Sequence, residues 1–330
     1  MCAEAMLDAQ VKAACQLEVQ WPPIYALLGD ILAASSLEGD YGQALRAVLD
    51  AARDSEQAGF PLSLLPLLAC RSAGGDPRRA LPVAAAWRAL HIAAKLLDDV
   101  QDGDVALLSA LPTDAPRVVN LAVGYIALSN MALVQLAADH DLALWSSLQR
   151  DFSLAMLQTA GGQHADLSAR EGYDLKGYLR MVGAKSGRCF SLASRAGARC
   201  ATDDTDILLR YDAFGYNAGI LIQIADDLEG FHAPIDRGDL LRGQHTLPMI
   251  YALAVASPPE HTRLEQWLSQ ARAGDQEAAK QARQLMIALG TEVYLRAEVT
   301  RYRCRALAAL AGAGDDERAT ASLRDWLARL

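Results

Sequence analysis

Two clusters of aspartates each follow a long uncharged stretch of the chain. Asp98, Asp99 and Asp102 form the first cluster, and Asp226 and Asp227 form the second. Residues three and four apart lie on one face of a helix, so the carboxylates of the first cluster would project together and repel one another. A hard cation such as Mg²⁺ binds carboxylate oxygens together with water and substrate phosphate. Either cluster alone could be a solvated acidic helix face, but the pair predicts a metal site that holds a diphosphate.

Composition limits the fold class that positions these carboxylates. The chain has 330 residues, of which 52% are hydrophobic and 6% are aromatic, and Ala and Leu dominate it. This composition favours helices over strands and predicts an all-α protein with an ample core. The net charge of −9 argues against nucleic acid as a partner. The six cysteines are scattered without a CxxC pair, which argues against a zinc site or a disulfide framework.

Short breaks that contain Gly and Pro divide the chain into helical segments. Either Thr113 or Asp114, ahead of Pro116, is a predicted helix start, and Ser257, ahead of Glu260, is another. The breaks are too short for an interdomain linker, and no fixed-period repeat is present. We therefore predict one helical domain over residues 1–330.

Two features bear on where the chain resides. The N-terminus carries acidic residues and lacks the apolar core of a signal peptide, which predicts a cytoplasmic protein. Residues 118–138 are uncharged and are about long enough to cross a bilayer. They contain Asn120, Asn130 and Gln135, so we interpret them as a buried central helix and predict no transmembrane segment.

Further blocks accompany the aspartate clusters in a fixed order along the chain. They are Gly74–Pro77 (GGDP), Gly162–Leu167 (GQHADL), Tyr178–Gly187 (YLRMVGAKSG) and Asp239–Pro248 (DLLRGQHTLP). Together with the clusters, these blocks resemble the trans-isoprenyl diphosphate synthase, or polyprenyl synthetase, family from about Leu67 to Leu310. The resemblance implies an all-α isoprenoid synthase fold, a helical bundle around a central active-site cavity, and a homodimer.

The resemblance also implies roles for particular residues. It implies that about three Mg²⁺ ions bind an allylic isoprenyl diphosphate. The implied metal ligands are Asp98, Asp99, Asp102, Asp226 and Asp227. The implied catalytic residues are Asp98, Asp99, Asp226 and Lys185. The predicted substrate contacts are Lys185, Gln223, Arg188, Arg242 and His245, together with the small residues Ala93 and Ala94, which leave room for a fifteen- or twenty-carbon chain.

Some of these assignments have alternatives. Lys185 matches a family motif directly, whereas Arg188, Arg242 and His245 are candidates by position. For Arg188 and Arg242, the alternative is surface ion pairing. Lys95 lies three and four residues before two aspartates of the first cluster. It is either an internal counter-ion or a side chain that points outward.

The sequence departs from the family where the acceptor substrate, isopentenyl diphosphate, would bind. Residues 60–66 contain no Lys or Arg in place of the family's GGKR-x-RP motif, and Leu107 and Leu108 replace an arginine pair. Each lost charge-assisted hydrogen bond removes about 1.5–3 kcal/mol, so these losses should abolish the acceptor site. His91 matches an acceptor-site residue, and we interpret it as a packed core histidine. The second cluster also lacks the motif's last aspartate, and Gln244 replaces a lysine.

Three functions remain open on the sequence. The first, which these losses favour, is a terpene synthase that ionises an allylic diphosphate and lets water, proton loss or cyclisation quench the cation. The second is prenyl transfer, either chain elongation with isopentenyl diphosphate or transfer to another acceptor. The third is a non-catalytic regulatory subunit of a prenyl synthase. Retention of both aspartate pairs argues against the third, because buried charges are costly. The chain length and the product structure are left undetermined.

Overall fold

The computed structural model describes residues 22–37, 39–58, 61–101, 114–138, 142–168, 174–312 and 317–329, in which the chain forms helices and no strand. The α-helices are α1 (Pro22–Ala34), α2 (Gly39–Ala58), α3 (Leu65–Ser72), α4 (Leu81–Gln101), α5 (Ala115–Ala138), α6 (Leu142–Ser168), α7 (Leu175–Val182), α8 (Arg188–Arg199), α9 (Thr205–His232), α10 (Asp239–Arg242), α11 (Leu247–Val255), α12 (Pro258–Arg272), α13 (Gln276–Ala288), α14 (Thr291–Ala309) and α15 (Glu317–Arg329). Short 3₁₀ turns lie at Leu62–Leu64, Pro77–Ala80 and Ile235–Arg237, and a π-helical turn lies at Gly183–Gly187. The prediction of an all-α fold is confirmed.

Several residues of the sequence analysis lie outside the described residues. They are Asp102, Phe60, Leu107 and Leu108. The role of Asp102 as a metal ligand therefore stays a prediction. The effect that Leu107 and Leu108 have on an acceptor site also stays a prediction.

The described chain divides into two compact units. The first contains the described residues up to Leu154, together with residues 192–212 and 312–326. The second contains residues 155–191, 213–311 and 327–330. The first aspartate cluster belongs to the first unit, and the second cluster belongs to the second unit. The single domain over residues 1–330 stays a prediction.

In the first unit, the core is built around α4. Trp87, Ala89, Ala93 and Leu96 of this helix are all at most 1% exposed. Small alanines along α4 let neighbouring helices approach closely, and α5 and α1 pack against it. This burial fixes the direction of α4, which carries Asp98 and Asp99 near its C-terminal end.

In the second unit, an apolar cluster joins the end of α9 to the helices that follow it. Phe231, Leu240, Met249, Leu264 and Met286 are buried together in this cluster. Burial of such side chains contributes about 1.5–3 kcal/mol each. The cluster holds the second aspartate motif beside α10 and the start of α11.

Both predicted helix starts are confirmed, the first at Asp114; Thr113, its alternative, lies outside the described residues. Asp114 precedes α5, and its carboxylate accepts a hydrogen bond from the backbone N–H of Arg117 at 3.2 Å. Ser257 precedes α12, and its backbone N–H and Oγ both donate to Glu260, at 2.9 and 2.6 Å. These bonds satisfy donors that a helix N-terminus would otherwise leave unpaired.

Two described helical stretches, residues 77–101 and 115–137, are long and apolar enough to cross a membrane by length and composition. The first is 67% buried inside the chain and the second 44%. A core helix of a soluble protein meets the same two criteria, so this observation is weak support for a membrane span. The absence of a transmembrane segment stays a prediction.

Candidate active site

Asp98 and Asp99 of the first aspartate cluster lie at the C-terminal end of α4. Asp99 is 3% exposed, whereas Asp98 is only partly buried. The Nζ of Lys95 lies 2.6 Å from Oδ1 of Asp99, one helical turn away. Of the two interpretations of Lys95, the structure therefore supports the internal counter-ion. The pairing offsets part of the repulsion that adjacent carboxylates would create.

A buried ion pair lies between α2 and α4. The side chains of Glu56 and Arg88 are 5% and 8% exposed, and Nε of Arg88 lies 3.3 Å from Oε1 of Glu56. Arg88 Nε also donates to the hydroxyl of Tyr25 at 2.9 Å, and Arg88 Nη2 donates to the carbonyl of Ala52 at 3.2 Å. Burying two charges costs desolvation free energy, and these additional hydrogen bonds offset part of that cost.

The carboxylate of Glu56 also binds the 3₁₀ turn that aligns with the family's cationic acceptor motif. The backbone N–H of Ser63 donates to Oε1 of Glu56 at 3.1 Å, and Oγ of Ser63 donates to Oε2 at 2.6 Å. The hydroxyl of Tyr25 donates to the same Oε2 at 2.9 Å. A buried carboxylate thus contacts the segment in which the family pattern places lysine and arginine.

His91 joins this network through Arg88. Nη1 of Arg88 lies 2.9 Å from Nδ1 of His91, and the His91 ring stacks on Trp87 with centroids 5.1 Å apart. Burial, with the charges of Arg88 and Lys95, lowers the pKa of His91 to about 3. Because a guanidinium can only donate, Nδ1 is the acceptor and the ring is neutral. These contacts agree with the interpretation of His91 as a packed histidine.

In the second aspartate cluster, the two carboxylates have different surroundings. Asp227 is 5% exposed, and Tyr178 Oη, Leu247 N and Gln223 Nε2 donate to it at 2.5, 2.7 and 3.2 Å. Burial raises the pKa of Asp227 to about 6, although these hydrogen bonds oppose the shift. Asp226, by contrast, is exposed. Asp227 therefore connects α7, α9 and α11 through hydrogen bonds. Asp226 is the more accessible of the two carboxylates to a ligand.

Lys185 lies in the π-helical turn between α7 and α8. Its Nζ lies 3.3 Å from Oδ2 of Asp166 on α6. A Cβ on Gly183 would overlap the hydroxyl of Tyr216, and a Cβ on Gly187 would lie 2.9 Å from the same ring. The two glycines therefore let the turn pack against Tyr216. π-Helical turns occur frequently at functional sites.

Gln223 connects this turn to the second cluster. Oγ of Ser186 donates to Oε1 of Gln223 at 2.9 Å, while Nε2 of Gln223 donates to Asp227. The structure therefore brings Lys185, Gln223, Asp226 and Asp227 into one neighbourhood of the second unit. Contact between Gln223 and a substrate stays a prediction.

The other predicted substrate contacts are more dispersed. Arg188 lies over the ring of Tyr216, at 5.2 Å from its centroid, and lines an open pocket of about 480 Å³ with Arg180. Nε2 of His245 accepts from Arg272 at 2.9 Å, and burial and that cation lower its pKa. Arg242 is exposed on α10.

Ala93 and Ala94 lie on α4, about one turn before Asp98. Ala93 is 1% exposed and Ala94 is partly buried. Their predicted role, to leave room for the allylic chain, stays a prediction.

The donor set of both clusters suits a hard cation, because it consists of carboxylate oxygens. Within the described ranges, no three His, Cys, Asp or Glu side chains converge closely enough to hold a metal ion. Mg²⁺ is usually bound by one or two carboxylates, with waters and substrate phosphates completing the octahedron. Asp98 and Asp99 in the first unit, and Asp226 in the second, offer carboxylates of this kind, whereas Asp227 already accepts hydrogen bonds from three donors. Metal binding by each of these residues stays a prediction.

Sequence reasoning missed three residues of these networks. Glu56 gave no signal, because a single glutamate on an amphipathic helix is usually solvated. Tyr178 and Asp166 lie within the motif blocks, but the sequence analysis assigned neither of them a role. Their signal was available, since a motif tyrosine and a motif aspartate need hydrogen-bond partners when they are buried or half-buried.

The described chain has the all-α isoprenyl synthase fold. It superimposes on the polyprenyl synthase of Caulobacter crescentus, solved with calcium and isoprenyl diphosphate, with a TM-score of 0.77 over 96% of each chain at 24% identity. The family model for polyprenyl synthetase matches residues 62–286, more than half of the chain. The chain therefore belongs to the polyprenyl synthetase family.

Named relatives agree with this assignment. The chain is 31% identical over 214 residues to geranylfarnesyl diphosphate synthase of Aeropyrum pernix, which covers 60% of this chain and 67% of that protein. It is 26% identical over 252 residues to heptaprenyl diphosphate synthase component 2 of Geobacillus stearothermophilus, which covers 70% of this chain and 75% of that protein.

Proposed function

We propose that this chain is a Mg²⁺-dependent enzyme that acts on an allylic isoprenyl diphosphate. Membership of the polyprenyl synthetase family supports the proposal, as do relatives named for isoprenyl diphosphate synthesis. The calcium and isoprenyl diphosphate of the Caulobacter crescentus enzyme support the choice of a divalent cation and of the substrate class. The oxygen-only donor sets at the ends of α4 and α9 agree with both.

Each residue of the site has a role in this proposal. Asp98 and Asp99 in the first unit, and Asp226 in the second, would each serve as Mg²⁺ ligands, and the bound metal would neutralise the charge of the departing diphosphate. Lys185 exchanges part of its contact with Asp166 for the diphosphate, in a π-helical turn that Tyr216 supports. A second motif residue, Gln223, keeps that turn aligned with Asp227.

We further propose that the chain releases diphosphate without using isopentenyl diphosphate, and so forms a terpene alcohol or hydrocarbon. The observation that carries this proposal is the contact of Glu56 with Ser63, at 2.6 Å. Glu56 accepts both the backbone N–H and the hydroxyl of Ser63, and residues 60–66 contain no Lys or Arg, so this segment offers a second diphosphate neither those donors nor a cation. Small side chains at Ala93 and Ala94 suit a C15 or C20 substrate.

The experiment is a matched set of incubations with Mg²⁺. Geranyl, farnesyl and geranylgeranyl diphosphate are each offered with and without isopentenyl diphosphate, and products are identified by mass spectrometry. We expect diphosphate release and a terpene alcohol or hydrocarbon that do not depend on isopentenyl diphosphate. The variant Asp226→Ala serves as the inactive control. Recovery of unreacted substrate alone in every incubation would count against an enzyme and in favour of a regulatory subunit.

A second candidate is prenyl transfer, and the names of the relatives favour it. Geranylfarnesyl diphosphate synthase and the heptaprenyl diphosphate synthase component are both named for elongated chains. If this chain elongates, cations other than those of the family's acceptor motif would have to bind the acceptor diphosphate. Products that lengthen only when isopentenyl diphosphate is present would establish this candidate.

We also propose that the chain forms a homodimer through α5. Val119, Val123, Met131 and Val134 are exposed along one side of this helix. The helix carries no charge from Val118 to Ala138, so a second copy of the same face would meet no unpaired charge. A two-fold interface of this kind joins one patch to itself.

A further inference from the structure

We propose that Arg272 is a positioning residue for the substrate diphosphate. It holds His245 in the neutral tautomer that carries its proton on Nδ1, and this N–H binds a diphosphate oxygen. Arg272 is the last residue of α12 and lies outside the motif blocks that carry the family resemblance. The inference rests on the proposed function, because it assigns His245 to the diphosphate end of that site.

The packing of α12 brings Arg272 to His245. Ala271, one residue before Arg272, is buried in the same apolar cluster as Leu240 of α10. Gly243 ends α10 in the left-handed conformation, with φ of 70°. A Cβ on Gly243 would lie 3.0 Å from Cγ of Arg272 and 3.3 Å from its Cδ. The aliphatic part of the Arg272 side chain therefore lies along the segment that carries His245.

The contact between the two side chains sets the tautomer of His245. Nη2 of Arg272 lies 2.9 Å from Nε2 of His245. A guanidinium can only donate, so Nε2 is the acceptor and the proton of the neutral imidazole is on Nδ1. Burial, together with the charge of Arg272, lowers the pKa of His245, and this favours the neutral form.

Nδ1 of His245 is the atom that indicates a ligand. It is buried, and no described residue forms a hydrogen bond with it. Buried polar atoms in folded proteins nearly always have a hydrogen-bond partner. An N–H donor in this position therefore suits an acceptor that arrives with a ligand.

The surroundings of His245 identify the diphosphate as that ligand. The charge of Asp166 acts on His245, and Oδ2 of Asp166 lies 3.3 Å from Nζ of Lys185. Two residues after His245, the backbone N–H of Leu247 donates to Asp227 at 2.7 Å. His245 is thus close to the cation proposed to bind the diphosphate and to the second aspartate cluster. Ionised phosphate oxygens are acceptors, which is what a neutral Nδ1–H requires.

The test observes the tautomer and the ligand contact without turnover. Long-range ¹H–¹⁵N correlation spectra of the full chain report which ring nitrogen carries the proton, and His245→Asn assigns the His245 signals. We expect a proton on Nδ1 and none on Nε2. Inorganic pyrophosphate, added with Mg²⁺, should shift the Nδ1 signal of His245. A proton on Nε2, or an Nδ1 signal that pyrophosphate leaves unchanged, would overturn the inference.

Two variants of α12 test the part that Arg272 plays. Arg272→Met removes the donor to Nε2, so we expect the proton to move to Nε2, the commoner tautomer of free histidine. Pyrophosphate binding, measured by calorimetry, should weaken about tenfold, because a hydrogen bond to a charged group is lost. Arg263→Met removes the same charge from an exposed arginine of the same helix and should bind pyrophosphate like the unaltered protein. Equal affinities of the two variants would contradict the role of Arg272.

Two substitutions at His245 distinguish its ring nitrogens. The amide of His245→Asn lies near the position of Nδ1, and the amide of His245→Gln lies near that of Nε2. We expect His245→Gln to bind pyrophosphate about tenfold more weakly than His245→Asn. Equal or reversed affinities would refute binding through Nδ1. If the tautomer and pyrophosphate binding behave as expected but no allylic diphosphate reacts, the proposed function fails and the assignment of Arg272 and His245 stands.

Discussion

Arg88 donates a hydrogen bond to Nδ1 of His91 across 2.9 Å while its Nε lies 3.3 Å from Glu56. One guanidinium therefore neutralises a buried carboxylate and fixes a histidine that the family pattern places at the acceptor substrate. In this chain the His91 and Arg88 side chains form hydrogen bonds with each other, and Arg88 also pairs with Glu56. The relationship explains how the first unit can bury polar groups where a diphosphate would otherwise bind.

This relationship predicts a pH-dependent stability. The pKa of His91 falls from 6.5 in the unfolded chain to about 3 in the folded chain. Between these values the unfolded state binds more protons, so the free energy of unfolding falls as the pH falls below 6.5. Relative to His91→Asn, which keeps an acceptor but does not titrate, the unaltered protein should lose up to about 1.4 kcal/mol per pH unit. Urea unfolding of both proteins from pH 7 to 4.5 measures this difference, and parallel curves would contradict it.

The buried ion pair predicts a strong coupling between its members. Arg88→Met leaves Glu56 buried without its cation and should cost about 3–5 kcal/mol of stability. The double variant Arg88→Met with Glu56→Gln removes both charges and should recover most of that loss. The measurement is the urea midpoint of the two variants and of the unaltered protein. Additive losses in the double variant would show that the pair is not coupled.

The hydrogen bond from Tyr178 to Asp227 predicts a specific loss of stability. Tyr178→Phe removes a donor to a buried carboxylate and should cost about 1.5–3 kcal/mol. Tyr125→Phe is a matched control, because the hydroxyl of Tyr125 donates at 2.7 Å to a neutral acceptor, the carbonyl of Leu45. We expect about 1 kcal/mol for that control. Thermal or urea unfolding checks the order, and a larger loss for Tyr125→Phe would contradict the role given to Asp227.

The packing of the π-helical turn predicts a loss of activity at a residue that touches no substrate. Gly183→Ala places a Cβ against the hydroxyl of Tyr216 and should displace Lys185, so we expect kcat/KM to fall about tenfold. Adding Tyr216→Phe removes the clashing oxygen and should restore part of the rate. Gly161→Ala is the control, since a Cβ there has nothing within 4 Å. Equal rates for Gly183→Ala and Gly161→Ala would show that the turn does not position Lys185.

The exposed face of α5 predicts the oligomeric state. Val123→Lys puts a charge into the centre of the proposed two-fold interface and should convert a dimer into a monomer. Val293→Lys changes a valine on α14 that is more exposed, at 74% against 59% for Val123, and should leave the dimer intact. Light scattering coupled to size-exclusion chromatography measures both. A monomeric unaltered protein, or a dimer that survives Val123→Lys, would refute this interface.

Much of the fold was predictable because its signals are local. The periodic apolar residues of α4 and α5, and the caps at Asp114 and Ser257, depend on neighbours within a few positions. The motifs that contain Lys185, Gln223 and Asp227 could also be recognised from the sequence, because each is a short continuous block. The facing of Asp98 and Asp226 stays a prediction.

By itself, the sequence determined an all-α chain, two aspartate clusters at helix ends and the loss of cations at the acceptor motif. Only the tertiary structure decided that Asp227 joins three helices through hydrogen bonds and that Glu56 accepts a hydrogen bond from Ser63. The physical reason is that burial and hydrogen bonding join residues that are far apart in the chain. A charged residue's role then depends on which donors surround it, and spacing along the sequence does not specify those donors.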